Sequence, residues 1–202
     1  MFESVIARFA LVGLMALLVA AGCSSDEGAK KNSSAHNAGA LFSTSRNAEG
    51  FLVQKFDANG NGRPDVIKYF EEAPDPNNPA ITKRSLRKVE IDVNGDGHVN
   101  IRRFYDKIGN LAREELDVDL DTRIETINHY DAGQLARKEI LDVEQDRVVA
   151  TRFYLRGQIF RVEKDTNGNN KIDYWEYYEE GVLTRVGRDM SGDGRADAWQ
   201  QR

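Results

Sequence analysis

Gly109, Gly133, Gly157 and Gly181 stand 24 residues apart, and no other feature of this 202-residue chain constrains its fold so tightly. Each glycine follows one or two aromatic residues: Phe104-Tyr105, Tyr130, Phe153-Tyr154 and Tyr177-Tyr178. Each precedes an aliphatic by two positions, at Leu111, Leu135, Ile159 and Leu183. A second series runs between them at Asp57, Asp92, Asp117, Asp142, Asp165 and Asp189, with spacings of 35, 25, 25, 23 and 24. The long first interval carries Pro74, Pro76 and Pro79, an insertion that suits a loop rather than a regular element. Self-similarity at such a period marks a chain built from one supersecondary unit stacked on copies of itself.

The segments between these markers are short and rich in β-branched and aromatic residues, for example Ile172, Tyr174, Trp175, Tyr177 and Tyr178. No helical stripe of apolar residues competes with them. The expected fold is all-β: an antiparallel up-and-down meander of about twelve short strands, built from six hairpin repeats of about 24 residues. Either a closed barrel or a long twisted sheet satisfies this pattern. The glycine answers the need of a tight hairpin for a positive φ, and Tyr130-Asp131-Ala132-Gly133-Gln134-Leu135 sets its tyrosine and leucine across the turn. In this feature the units resemble the tyrosine-and-glycine hairpin repeats of bacterial surface and antitoxin-like proteins.

The opposite hairpin ends are acidic. Asp57, Asn59, Asn61 and Asp65 place oxygen side chains at loop positions 1, 3, 5 and 9. Asp92, Asn94, Asp96 and Asn100 repeat the spacing, as do Asp165, Asn167, Asn169 and Asp173, and Asp189, Ser191, Asp193 and Asp197. Hard oxygen donors at every second position, wrapped around a glycine, suit Ca²⁺. Position 7 would add a main-chain carbonyl, from Arg63, His98 or Arg195. The loops resemble the first part of the EF-hand loop and, more closely, the nine-residue calcium loops between strands of integrin-like repeats. That resemblance implies calcium held at about 10⁻⁴–10⁻³ M, as in extracellular modules. Two loops differ. Asp117, Asp119, Asp121 and Glu125 are all acidic, but Thr122 stands where glycine is expected, so this loop is left outside the expected calcium set. Asp142, Glu144 and Asp146 surround no full ligand set and are read as an ordinary turn.

At the amino end, Phe9 to Ala21 is a 13-residue apolar run, too short for a comfortable membrane span. Ala20, Ala21 and Gly22 then lead into Cys23, the single cysteine of the chain. This segment resembles the lipobox of bacterial lipoproteins. The resemblance implies a signal peptide over 1–22, lipidation of Cys23 with palmitate-type chains, and a lipid-anchored place in the outer membrane of the cell envelope. Residues 24–49 are rich in Ser, Ala, Asn, Gly and Lys, so the expected layout is a lipidated cysteine and flexible tether over 23–49 and a β-repeat domain over 50–202.

The net charge of −5 is spread along the chain, and no basic stripe suggests nucleic acid. No nucleophile elbow, phosphate-binding loop, zinc motif or redox CxxC occurs, so no enzyme is expected. The functional expectation is a calcium-binding β-repeat acting as a protein-binding or structural module. Its expected partners are the membrane, through the anchor, and other envelope proteins, in an outer-membrane adhesion or surface-motility complex. The alternative is glycan or peptidoglycan binding through Trp175, Trp199 and the tyrosine ladder.

Overall fold

The computed structural model describes residues 39–202. The expectations for the signal peptide, Cys23 and most of the tether lie outside the described residues. Thirteen strands follow one another: β1 Ala40–Arg46, β2 Leu52–Asp57, β3 Val66–Asp75, β4 Asn78–Ile91, β5 Ile101–Tyr105, β6 Leu111–Leu116 and β7 Thr126–Asp131. After these come β8 Gln134–Asp142, β9 Arg147–Leu155, β10 Gln158–Lys164, β11 Tyr174–Glu179, β12 Val182–Arg188 and β13 Ala198–Gln201. They form a single antiparallel sheet in which every strand pairs with its sequence neighbours. β1 and β13 are the two edges, so the sheet is open rather than a barrel. No helix is present among the described residues.

One boundary is corrected. β1 lies inside the segment expected to be tether, and its seven residues are all exposed. It joins the sheet through the backbone, in register with β2 from Ala40↔Asp57 to Arg46↔Leu52. Composition measures how much apolar surface a segment can bury, and this strand buries almost none; edge pairing satisfies its backbone instead.

Each glycine hairpin carries a bulge. The pairs Tyr105↔Leu111, Tyr130↔Leu135, Tyr154↔Ile159 and Tyr178↔Leu183 sit beside a register shift that leaves Ala112, Ala136, Phe160 or Thr184 as the extra residue. A bulge bends the strand and increases its twist. Since it recurs in each of these units, the bend is a property of the repeat.

A one-layer sheet cannot bury a large apolar core, and among the described residues only Leu52, Val53, Val89, Val162 and Val186 are buried hydrophobics. Cross-strand pairs of another kind fill the faces. On one face, Tyr69, Phe104, His129, Phe153 and Tyr177 alternate in register with Lys88, Arg113, Arg137, Arg161 and Arg185. Lys88 lies 4.0 Å from the Tyr69 ring centre and Arg161 4.1 Å from that of Phe153. Contacts of this kind contribute about 0.5–1 kcal/mol each at exposed sites. Glu90, Glu115, Glu139 and Glu163 stand two residues beyond four of these cations and pair with them at 3.0, 2.7, 3.1 and 3.3 Å. On the opposite face Glu114 is buried among Arg103 (2.8 Å), Asn128 Nδ2 (3.0 Å) and the Tyr130 hydroxyl (3.2 Å). Burial works to raise its pKa, but the Arg103, Asn128 and Tyr130 hydrogen bonds outweigh it and hold the carboxyl below the usual glutamate range.

Candidate metal centre

All six acidic loops lie at one end of the sheet, and the glycine turns lie at the other. Asn100 and Asp57, 1% and 2% exposed, are among the most buried side chains described, so polar groups at the loop end are held out of water.

Five loops close by one scheme. The carboxylate at position 1 accepts the position-6 N–H at distances between 2.6 and 3.0 Å, from Gly62, Gly97, Thr122, Asn170 and Gly194. In four of them it also accepts the position-4 N–H at 2.7 Å. The side-chain oxygen at position 5 accepts the position-7 N–H, as in His98 to Asp96 at 2.7 Å and Arg195 to Asp193 at 2.8 Å. Position 9 latches the loop by accepting the position-2 N–H, at 2.8 Å for Asp65, 2.9 Å for Asn100 and Asp173, and 2.8 Å for Asp197. These Asx-type bonds explain the spacing of Asp and Asn without any ligand.

The scheme demands positive φ at positions 4 and 6. Gly60 and Gly62 supply 78° and 83° without steric cost. In the Asp117 loop, Leu120 and Thr122 take 68° and 81°. Thr122 therefore does not prevent the loop from forming, which corrects the ground on which this loop was set aside.

Adjacent loops are joined. The N–H of Asp92 donates to the Asp65 carbonyl at 2.8 Å, that of Asp117 to Asn100 at 2.8 Å, and that of Asp189 to Asp173 at 2.9 Å. Asn100 also donates from Nδ2 to Asp117 Oδ2 at 3.0 Å. Both ends of its amide are thus engaged, and it forms a strut between two loops. The Asp165 loop receives a cation from within the chain: Arg147 bonds Asp165 Oδ2 and lies 3.7 Å from Asp142. Burial works to raise the Asp165 pKa, but the Gly168 and Asn170 N–H groups and Arg147 hold it below the usual range.

Asp117, Asp119, Asp121 and Glu125 behave differently. Each offers one carboxylate oxygen, and the four lie within 4.8 Å of one another. Oxygens on opposite sides of a Ca²⁺ ion, at 2.3–2.6 Å each, are separated by about 5 Å at most, so this spread fits a common cation. Glu125 accepts the Val118 N–H through Oε2 at 2.6 Å, while its Oε1 is buried without a hydrogen-bond partner. Burial raises the Glu125 pKa; the Val118 bond opposes this, and the charges of Asp119, Asp117 and Asp121 raise it further. Arg123 offsets part of the charge, holding Asp121 at 2.7 Å and lowering its pKa. Four carboxylates against one guanidinium leave this loop the most negative of the six. A metal ion could sit here. The signal in the sequence was the number of carboxylates, which the glycine criterion obscured.

Trp175 and Trp199 lie on one face on either side of Gly187, through the pairs Trp175↔Gly187 and Gly187↔Trp199. Trp199 is 47% exposed. Glu114 and Glu115 point to opposite faces and form no acid–base pair.

No protein-family model and no curated protein matches the sequence. Among solved structures, a TarM variant from S. aureus in complex with fondaparinux, alpha-GlcNAc-glycerol and UDP matches at 12% identity and a TM-score of 0.30, over 57% of this chain and 20% of that one. The accessory secretory protein 1, 2 and 3 structure from Streptococcus pneumoniae matches at 16% identity and 0.27, over 59% and 19%. A glycosylation-associated protein complex from Streptococcus agalactiae matches at 15% identity and 0.29, over 61% and 19%. The chain thus spans about a fifth of each matched chain. The expectation that this protein is not an enzyme is withdrawn. At such TM-scores the likeness assigns it no activity, substrate or partner.

Proposed function

We propose that the chain is a lipid-anchored envelope protein whose β-repeat domain is a binding or structural module, stiffened by Ca²⁺ at Asp117, Asp119, Asp121 and Glu125. The convergence of four carboxylate oxygens within 4.8 Å carries this reading. An all-oxygen, mostly carboxylate set favours a hard cation, and the breadth of the cluster favours Ca²⁺ over Mg²⁺, whose shorter 2.0–2.1 Å bonds demand a tighter octahedron. The loops expected from sequence to bind calcium have two or three carboxylates each and close on their own hydrogen bonds. In this proposal they are rigid turns that pass the stiffening of one metal loop to its neighbours through the Asp117–Asn100 link. The short apolar run and Cys23 support the anchor, and the extended face of a repeated hairpin sheet supports the module.

Two measurements test the two halves. The protein is expected to melt several degrees higher with millimolar Ca²⁺ than with chelator, and Asp119→Asn with Glu125→Gln removes that rise. Expressed in a bacterium, Cys23→Ser is expected to leave the membrane fraction and lose palmitate labelling. A Cys23→Ser protein that stays with the membrane would refute the anchor.

A further inference from the structure

The cation ladder breaks its own rule at its last member. Lys88, Arg113, Arg137 and Arg161 each pair with a glutamate two residues on, but Gly187 stands where that glutamate would follow Arg185. Arg185 makes no ion pair among the described residues. Its guanidinium carbon instead lies 4.6 Å from the Tyr177 ring centre and 4.3 Å from that of Trp199. The two rings are 5.7 Å apart and tilted by 55°. The glycine is what admits the tryptophan: a Cβ at Gly187 would come within 2.6 Å of the Trp199 ring. Loss of the glutamate and arrival of the ring are therefore one structural change, and it exchanges an internally neutral pair for a cation held between aromatic faces.

Arg185 and Tyr177 also line an open groove of about 530 Å³ with Phe160, Glu179, Thr184, Gln201 and a second cation, Arg202. Phe160 is 38% exposed, so the groove offers a second aromatic surface. Glu179 forms no ion pair with Arg185 in it. We propose that this groove binds an anionic saccharide, a sugar ring bearing a carboxylate or a phosphate. The oxyanion takes the unpaired fork of Arg185, whose planar donors match such groups. Phe160 and Tyr177, which line the groove, suit the apolar side of a sugar ring, and Thr184 and Gln201 suit its hydroxyls; Trp199, against Arg185, is the reporter beside it. An acidic peptide would use the guanidinium but gain little from the aromatic faces. The site is independent of the acidic loops, which lie at the opposite end of β12 from Thr184.

The test is a titration of the full chain in chelator, following the indole N–H resonance of Trp199, assigned with Trp199→Phe. Oligogalacturonate and a hexose 6-phosphate supply the two oxyanions; maltohexaose and polyglutamate are the controls. Either anionic sugar is expected to shift the Trp199 signal, while maltohexaose does not and polyglutamate binds more weakly. Arg185→Gln is expected to weaken binding about tenfold or more, equivalent to 1.4 kcal/mol. Arg161→Gln, which removes a cation already paired with Glu163, is expected to leave it within about twofold. The proposal is overturned if neither anionic sugar shifts Trp199, if Arg185→Gln binds as well as the parent, or if polyglutamate binds as tightly as the sugars.

Discussion

Glu125 shows how one side chain sets the pH response of the loop end. In metal-free solution its burial and its three acidic neighbours favour the protonated carboxyl in the folded chain. Its contribution to stability is fully present below the ordinary glutamate pKa and is lost as pH rises through the raised value. Ca²⁺ takes the ionised form, so its affinity runs the other way and falls as pH drops through the same range. Glu125→Gln is thus expected to raise the melting temperature in chelator at pH above the raised Glu125 value and to weaken Ca²⁺ about tenfold, as paired melts and calorimetric titrations would show. Gly187 is the second decisive residue. Gly187→Ala is expected to cost about 1–3 kcal/mol, measured by urea unfolding, with a blue or red shift of tryptophan emission as the ring is displaced. Trp199→Ala in the same chain is expected to recover most of that loss, because the clash is with the ring alone.

At the scale of the element, the units from β5 to β12 are bulged hairpins closed at one end by glycine and at the other by an Asx-bonded loop, while β3 and β4 turn through Pro76-Asn77. The hairpins were legible because tyrosine, glycine and leucine recur at one spacing, and the register sets Tyr130 opposite Leu135. The bulges were not legible: Ala112, Ala136, Phe160 and Thr184 share a position but no chemistry, and a register shift depends on two strands at once. The loops were read correctly as a repeated register of oxygen donors. What the spacing did not reveal is that Asp65, Asn100, Asp173 and Asp197 also serve as latches on backbone N–H groups, as Glu125 does in its own loop. The Asp117 loop was undervalued because threonine is a poor occupant of positive φ, yet the surrounding hydrogen bonds hold it at 81°. Thr122→Gly is therefore expected to stabilise the protein by about 1 kcal/mol, and Gly62→Thr to destabilise it by a similar amount, both read from urea midpoints.

At the scale of the molecule, the described chain is one open sheet in which every strand pairs through its backbone only with its sequence neighbours. Its all-β, up-and-down class followed from period and composition, because local repetition leaves few other ways to pair. Its thirteenth strand did not, because β1 adds to an edge by backbone bonds that leave no pattern in the side chains. A sheet of this kind has nearest-neighbour energetics, so amide exchange is expected to be slowest near β6–β8, beside the Asp117 loop, and fastest in β1 and β13. Ca²⁺ should slow exchange in the central strands more than at the edges; uniform slowing would contradict transmission through the loop ladder. The most direct test of the account is the stoichiometry of Ca²⁺ binding by calorimetry, on the parent chain and on Asp119→Asn with Glu125→Gln. The account predicts one site per chain, abolished in the double variant. Absence of binding, or binding at several sites that the double variant retains, would contradict it.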